Sequence, residues 1–184
     1  PKAKFFSLMG SLSSNSSFSP FEVVHAIAQA TGAEGYFLPA PFIADSESDR
    51  DVFLSQRVVL ETMELAKRAD LAFVSVGELT ETSLLRTQKM ISEEEIASLR
   101  DLGAVGDTNG IFFDQNGKTV DHDLNRRSVA IGLTLLARTK TVALSAGHRK
   151  LSATQAILRS GAIKGLIIDG DSAVHLYQSI QKRK

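Results

Sequence analysis

Residues 141–177 read TVALSAGHRKLSATQAILRSGAIKGLIIDGDSAVHLY, and the fold class follows from this stretch. Residues 141–145 form a short β-prone run, closed by a tight turn at Ala146-Gly147-His148. Between 150 and 160, apolar side chains fall at 151, 153, 157 and 158, a helical spacing. Gly161 stands where a left-handed C-cap is wanted. A second apolar run, GLIID at 165–169, is bounded by Gly170, and from Ser172 the pattern turns helical again. Strand, helix, strand, helix predicts a βαβ unit, with parallel strands buried on both faces.

In open parallel sheets, ligands sit beyond the carboxyl ends of the strands. Here that edge holds Gly147, His148, Arg149 and Lys150. A glycine turn opening a helix offers backbone N–H groups to an anion, and Lys150 adds a full charge. The turn lacks a complete glycine-rich fingerprint, so an ordinary solvated first helical turn fits it as well.

At 184 residues the chain is expected to form one domain with a sizeable core, with an appended lobe as the alternative. Lys plus Arg and Asp plus Glu number 21 each, a balance that argues against nucleic acid or an anionic membrane as the direct partner. The absence of cysteine excludes disulfides, thiolate chemistry and cysteine zinc sites. Neither a signal peptide nor a long apolar run is present, so a cytoplasmic location is expected.

Upstream, 4–8 reads as a first strand, followed by the small, polar loop 9–17. That loop fits either a phosphate- or hydroxyl-holding role through its N–H groups or a surface connection. Ser19 as N-cap, Pro20 and Glu22 open a helix, with Val23, Val24, Ile27 and Ala28 as its expected buried stripe and Gly32 as its stop. A second strand is read at 36–38, ended by Pro39 and Pro41. One long helix is expected from the acidic segment 45–51 to about 69, burying Val52, Val58, Val59, Met63 and Ala66.

A buried strand at 71–76 follows, then an irregular lid-like loop over 78–90 containing Glu78, Glu81, Arg86 and Lys89. Ser92 and Glu95 open a helix to 102 with a capping box. Residues 104–110 read as a loop, 111–113 as a strand and Asp114-Gln115-Asn116-Gly117 as a hairpin turn, with 118–120 returning. For 124–139 an extended start and a helical turn at 134–137 are expected.

Asp107, between two glycines, suits either sugar hydroxyls or a turn that bonds its own backbone. The four histidines are scattered without a metal-ligand spacing, and no metal or cofactor is expected. Ser145 lacks a nucleophile elbow, and Arg126-Arg127 reads as a solvated pair.

Taken together, LMG with its small polar loop, YFLPAPF, RADLAFVSVG, DLGAVGDTNGIFFDQNG and ALSAGHRKLSATQAILRSGAIKGLIIDGDSA resemble the effector-binding domain of SorC/DeoR-like bacterial sugar-responsive transcription regulators. The resemblance covers nearly the whole chain. It implies an α/β, Rossmann-like three-layer fold like that of ribose-5-phosphate isomerase and glucosamine-6-phosphate deaminase, with a projecting β-hairpin. It also implies a sugar, polyol or sugar phosphate bound at the strand ends, with no catalysis. By resemblance, Asp107 contacts sugar hydroxyls, Lys150 contacts the ligand with Gly147 and His148 beside it, and Gly10 and Ser11 face it.

Members usually begin with a helix-turn-helix domain, followed by a strand and a Gly-x-Thr phosphate loop, and neither stands ahead of the first strand read here. Residues 1–184 are therefore expected to be a C-terminal, N-terminally truncated effector domain. The resemblance further implies a dimer or tetramer that reaches operator DNA only through the helix-turn-helix domain. Ala146-Gly147 stands where members commonly have Gly-Gly, which narrows the approach of a ligand. A sugar-phosphate isomerase or deaminase is the alternative, with Asp107 and His148 as the nameable acid–base candidates. A plain oligomerisation domain is a third reading.

Overall fold

The predicted βαβ unit forms in the computed structural model, which describes residues 3–11 and 20–181. The loop residues 12–19, with the proposed N-cap Ser19, lie outside the described residues. The chain divides into two units, the described residues up to Ala69 with Asp123–Ile131, and Asp70–His122 with residues 132–181.

In the second unit, β3 (Leu71–Ser75), β7 (Lys140–Ser145) and β8 (Gly165–Ile168) form a parallel sheet in the order β3-β7-β8. Ala72 pairs with Thr141 and Val74 with Ala143, while Ala143 pairs with Leu166. The connection from β7 to β8 runs through a 3-10 turn (His148–Lys150) and helix α8 (Leu151–Arg159). Gly161 ends it with φ +72°, the left-handed cap expected there. Helix α9 (Gly170–Gln181) follows β8.

Burial on both faces holds for one face only. Ala72, Val74, Thr141 and Ala143 are buried, but Leu71, Phe73, Leu144 and Ile167 on the other face are exposed, Phe73 at 55% and Ile167 at 54%. An apolar run shows that a strand belongs to a core; it does not reveal how many of its faces are covered.

A three-stranded antiparallel sheet, β4-β5-β6, stands beside this one in the same unit, made of Gly77–Glu78, Ala104–Thr108 and Ile111–Asp114. Residues 104–108, read as a loop, are therefore a strand. Asn109 and Gly110, with φ of 52° and 71°, form the two-residue turn joining β5 to β6, the conformation that Asn-Gly favours. The expected hairpin at 114–117 is also present. It takes another turn, in which only Gly117 has positive φ and Asp114 Oδ1 accepts from the N–H groups of Asn116 and Lys118. Helix α5 (Glu93–Asp101) opens with the predicted capping box, Ser92 with Glu95. The expected lid over 78–90 is partly structured: α4 (Leu84–Thr87) forms, Leu79 and Leu85 are buried, and the Arg100 guanidinium donates twice to Leu79 O.

The first unit pairs β1 (Lys4–Phe6) with β2 (Glu34–Tyr36) in parallel through α1 (Pro20–Thr31). The second strand thus lies two residues earlier than expected. Of the predicted α1 stripe, Val24 and Ala28 are buried, whereas Val23 (60% exposed) and Ile27 face outward. Gly35 explains the selection, because Val24 and Ala28 are the side chains lying against its bare backbone.

The long helix expected to 69 is two helices, α2 (Glu47–Ser55) and α3 (Arg57–Ala66), broken at Gln56 with ψ 132°. Ser55 Oγ and Gln56 Nε2 both donate to Val52 O, side-chain bonds that compete with a continued helical ladder. Val52 and Val58 are exposed, while Val59 joins Leu38, Ala40, Ala44 and Val129 in the core. Residues from 123 onward begin with α6 (Asp123–Arg127) rather than extended chain, and α7 (Leu133–Leu136) is the expected later turn. Arg127 is no solvated residue: it pairs with Asp123 and donates to Ala44 O.

Gly106 faces Ala153 Cβ and Gly77 O with no room for a side chain, whereas a Cβ at Gly132 meets nothing within 4 Å. Gly106→Ala should therefore lower unfolding free energy by about 1–3 kcal/mol. Gly132→Ala should be neutral or slightly stabilising, because its φ of −78° suits any residue. Urea titration of both variants checks the contrast.

Candidate functional site

The carboxyl end of β3 runs directly into β4, and β4 carries Glu78 against β5. Gly77 pairs with Asp107 and Glu78 with Gly106. A Cβ at Gly77 would overlap Asp107 Oδ1, so the glycine makes the space in which that carboxylate lies. Asp107 is 8% exposed, and its Oδ2 accepts from Gly110 N–H at 3.1 Å. Burial pushes its pKa up from 3.8 to about 6, against the lowering effects of the Gly110 N–H and the Lys150 charge; Glu78 adds to the rise.

Lys150 Nζ stands 4.0 Å from Glu78 Oε2, and the Glu78 side chain is only 12% exposed. The lysine is placed by its own backbone. Its carbonyl accepts from Thr154 Oγ1 at 2.8 Å, and Thr154 is bonded at 2.7 Å to Ser145 Oγ, the buried last residue of β7. Two carboxylates and one ammonium thus gather at the strand ends. Such a group donates to and accepts from hydroxyls.

The turn at 146–150 differs from the anion cradle that its glycine suggested. Gly147 has φ +91°, and its N–H donates to Asp169 Oδ2 at 2.9 Å. The other oxygen of Asp169 caps α9 by accepting from Ser172 N–H. These backbone bonds hold the Asp169 pKa down to about 2. A carboxylate of the protein therefore already occupies the amide. Arg149 Nη1 donates to Thr82 Oγ1 at 2.7 Å, which ties the turn to the 78–90 segment. His148 lies edge-on to His175, with ring centroids 4.3 Å apart.

Gly10 and Ser11 belong to the first unit. The Gly10 N–H donates to Val129 O and the Ser11 N–H to Ala40 O, so neither amide points at a ligand. Gly10 is buried, and a Cβ there would strike the carbonyls of Ala40 and Pro41; close packing explains this glycine. Both residues line a hollow of about 250 Å³ with Ser7, Met9 and Phe37.

Glu78 and Asp169 are the residues that sequence reasoning missed. Glu78 follows the carboxyl end of an identified strand, which is a usable signal, but it reads as one acidic residue in an irregular loop. Nothing local marks Asp169 as the partner of a turn 22 residues earlier. Among the described residues, no three His, Asp or Glu side chains gather as a metal-binding group.

With this geometry in view, comparison with known proteins is specific. The family described as "Putative sugar-binding domain" matches residues 1–177. The erythritol catabolism regulatory protein EryD of Brucella abortus is 36% identical over 92% of this chain and 54% of its own length. The deoxyribonucleoside regulator of Bacillus subtilis is 28% identical over 83% of this chain and 49% of its own. The chain spans about half the length of these curated relatives. Among solved structures, the sugar-binding domain of a transcriptional repressor from Vibrio fischeri superposes with a TM-score of 0.88 at 24% identity, covering 98% of this chain and 71% of that one. A DeoR-family transcriptional regulator from Listeria monocytogenes gives the same TM-score and identity over 94% and 68%. The chain belongs to this sugar-binding domain family, and the curated relatives it resembles are named as regulators.

Asp107 also has a stability signature. Its folded pKa of about 6 lies above the ordinary 3.8, so its contribution is fully present below about 3.8 and is lost as pH rises through 6. That gap corresponds to about 3 kcal/mol. Asp107→Asn should thus be more stable than the native chain at pH 8, by up to about 3 kcal/mol, and close to it at pH 4. Urea denaturation at the two pH values measures the difference.

Proposed function

We propose that this chain is the effector-sensing domain of a bacterial transcription regulator, and that it binds a small polyhydroxylated ligand at the carboxyl ends of its strands. The supporting observation is Asp107, a carboxylate kept buried at a cost in stability beside the Lys150 ammonium. A carboxylate so placed gains strong hydrogen bonds when a hydroxyl-bearing ligand replaces solvent. Lys150 donates to ligand oxygens, and His148 lines the same turn. Gly147 shapes that turn through its left-handed backbone, while its amide serves Asp169.

In this reading the ligand is a sugar, a polyol or a sugar phosphate. It binds one arrangement of a dimer or tetramer better than another, and that difference alters operator binding by a separate helix-turn-helix domain. Coupling requires such differential affinity. The protein acts in the cytoplasm, and no described helix is long and apolar enough to cross a membrane. The relatives are named as regulators, which supports sensing over turnover. The two candidate acid–base groups also have other engagements, His148 with His175 and Asp107 with Gly110.

A thermal-shift screen against sugars, polyols and their phosphates tests this. A ligand at 100 times its Kd adds about 2.7 kcal/mol and raises the midpoint visibly. The shift should vanish in Asp107→Ala and in Lys150→Ala. Ser11→Ala reports in the same way on the hollow beside Gly10. Steady turnover of a sugar phosphate by the purified protein would displace the sensing reading.

A further inference from the structure

The charges around Lys150 bear on which polyhydroxylated molecules the site accepts. A phosphate monoester near neutral pH carries close to two negative charges, and its oxygens act almost wholly as acceptors. A site built for it presents cations and unspent N–H groups. This rim presents something else. Lys150 Nζ already has Glu78 Oε2 at 4.0 Å, and Asp107 faces the same pair. The Gly147 amide, where an incoming anion would settle, is held by Asp169. The neighbouring cation, Arg149, is directed to Thr82 Oγ1.

Hydroxyl groups fit this pattern. Each both donates and accepts, so a chain of neighbouring hydroxyls can donate to Asp107 and Glu78 while accepting from Lys150. A phosphoryl group placed on Lys150 would instead meet two carboxylates with no proton to offer them.

Building on the sensing role proposed above, we infer that this site selects an uncharged polyol over its phosphate monoester, and that Glu78 determines the choice. Glu78 does so by neutralising Lys150 and by supplying a second acceptor. It is 12% exposed and sits on the strand paired with the Asp107 strand, so its carboxylate has a fixed place beside Lys150.

Isothermal titration of the purified protein with four- to six-carbon alditols, and with the terminal phosphate monoester of each, tests the inference. The native protein should bind its best alditol at least tenfold more tightly than the matching ester. Glu78→Gln keeps the shape and removes the charge, and it should shrink that ratio at least tenfold or invert it. Glu78→Ala should weaken the alditol as well, through loss of the acceptor. If the native protein prefers the ester, or if Glu78→Gln leaves the ratio unchanged, the inference is overturned while the sensing role stands. If no alditol, ester or free sugar binds the native protein, the sensing role falls and the inference falls with it. The native ratio decides the first point even if a variant does not fold.

Discussion

Two absent side chains, at Gly77 and Gly106, allow strand, strand and helix to meet at the strand ends. Without a Cβ at Gly106, β5 lies against Ala153 of α8 and against the Gly77 carbonyl. With no Cβ at Gly77, the Asp107 carboxylate occupies the space that opens. The other features of the site depend on this close approach. Glu78 is placed by being next to Gly77 and paired with Gly106, and the helix that Gly106 admits begins one residue after Lys150. A methyl group at Gly106 would press on the Gly77 backbone, which adjusts far less easily than a surface side chain, and one at Gly77 would displace the Asp107 carboxylate itself.

The buried carboxylate gives this arrangement its energetic character. An aspartate removed from water destabilises the fold when ionised, and a structural role would be served as well by asparagine or threonine. Keeping a charge there is reasonable where a ligand supplies the hydrogen bonds that water no longer makes. Asp169 shows the opposite balance: half-buried, bonded to two backbone N–H groups and shifted down to about 2, it stabilises a turn and a helix start. Two aspartates of the same unit, one within β5 and one just after β8, therefore do different work, and their surroundings alone distinguish them.

Much of the fold was legible because its signals are local. The β7-α8-β8 unit, the capping box at Ser92 and the left-handed glycines at 32 and 161 each rest on a few neighbouring residues. The errors arose where a competing interaction was not local. The helix over 47–66 breaks at Gln56, where side chains take the Val52 carbonyl. Asp107 looked like a loop residue because Gly-x-x-x-Gly spacing resembles a turn, yet pairing with Gly77 and Phe112 makes it a strand residue. The Asn109-Gly110 turn signal was in plain view, but strand pairing was needed to show that residues 104–108 were its first arm.

For the candidate site, the sequence alone indicated residue types in suggestive order: an aspartate between glycines, and a lysine opening a helix after a strand. It established an α/β chain, the sheet edge that carries Lys150, and the family that the chain resembles. Tertiary structure decided the rest. It brought Glu78 to Lys150, gave the Gly147 amide to Asp169, turned the amides of Gly10 and Ser11 toward Val129 and Ala40, and left one sheet face exposed. The physical reason is range. Helix periodicity, caps and turn preferences act over a few residues, whereas burial, charge pairing and hydrogen-bond satisfaction depend on segments that only folding brings together.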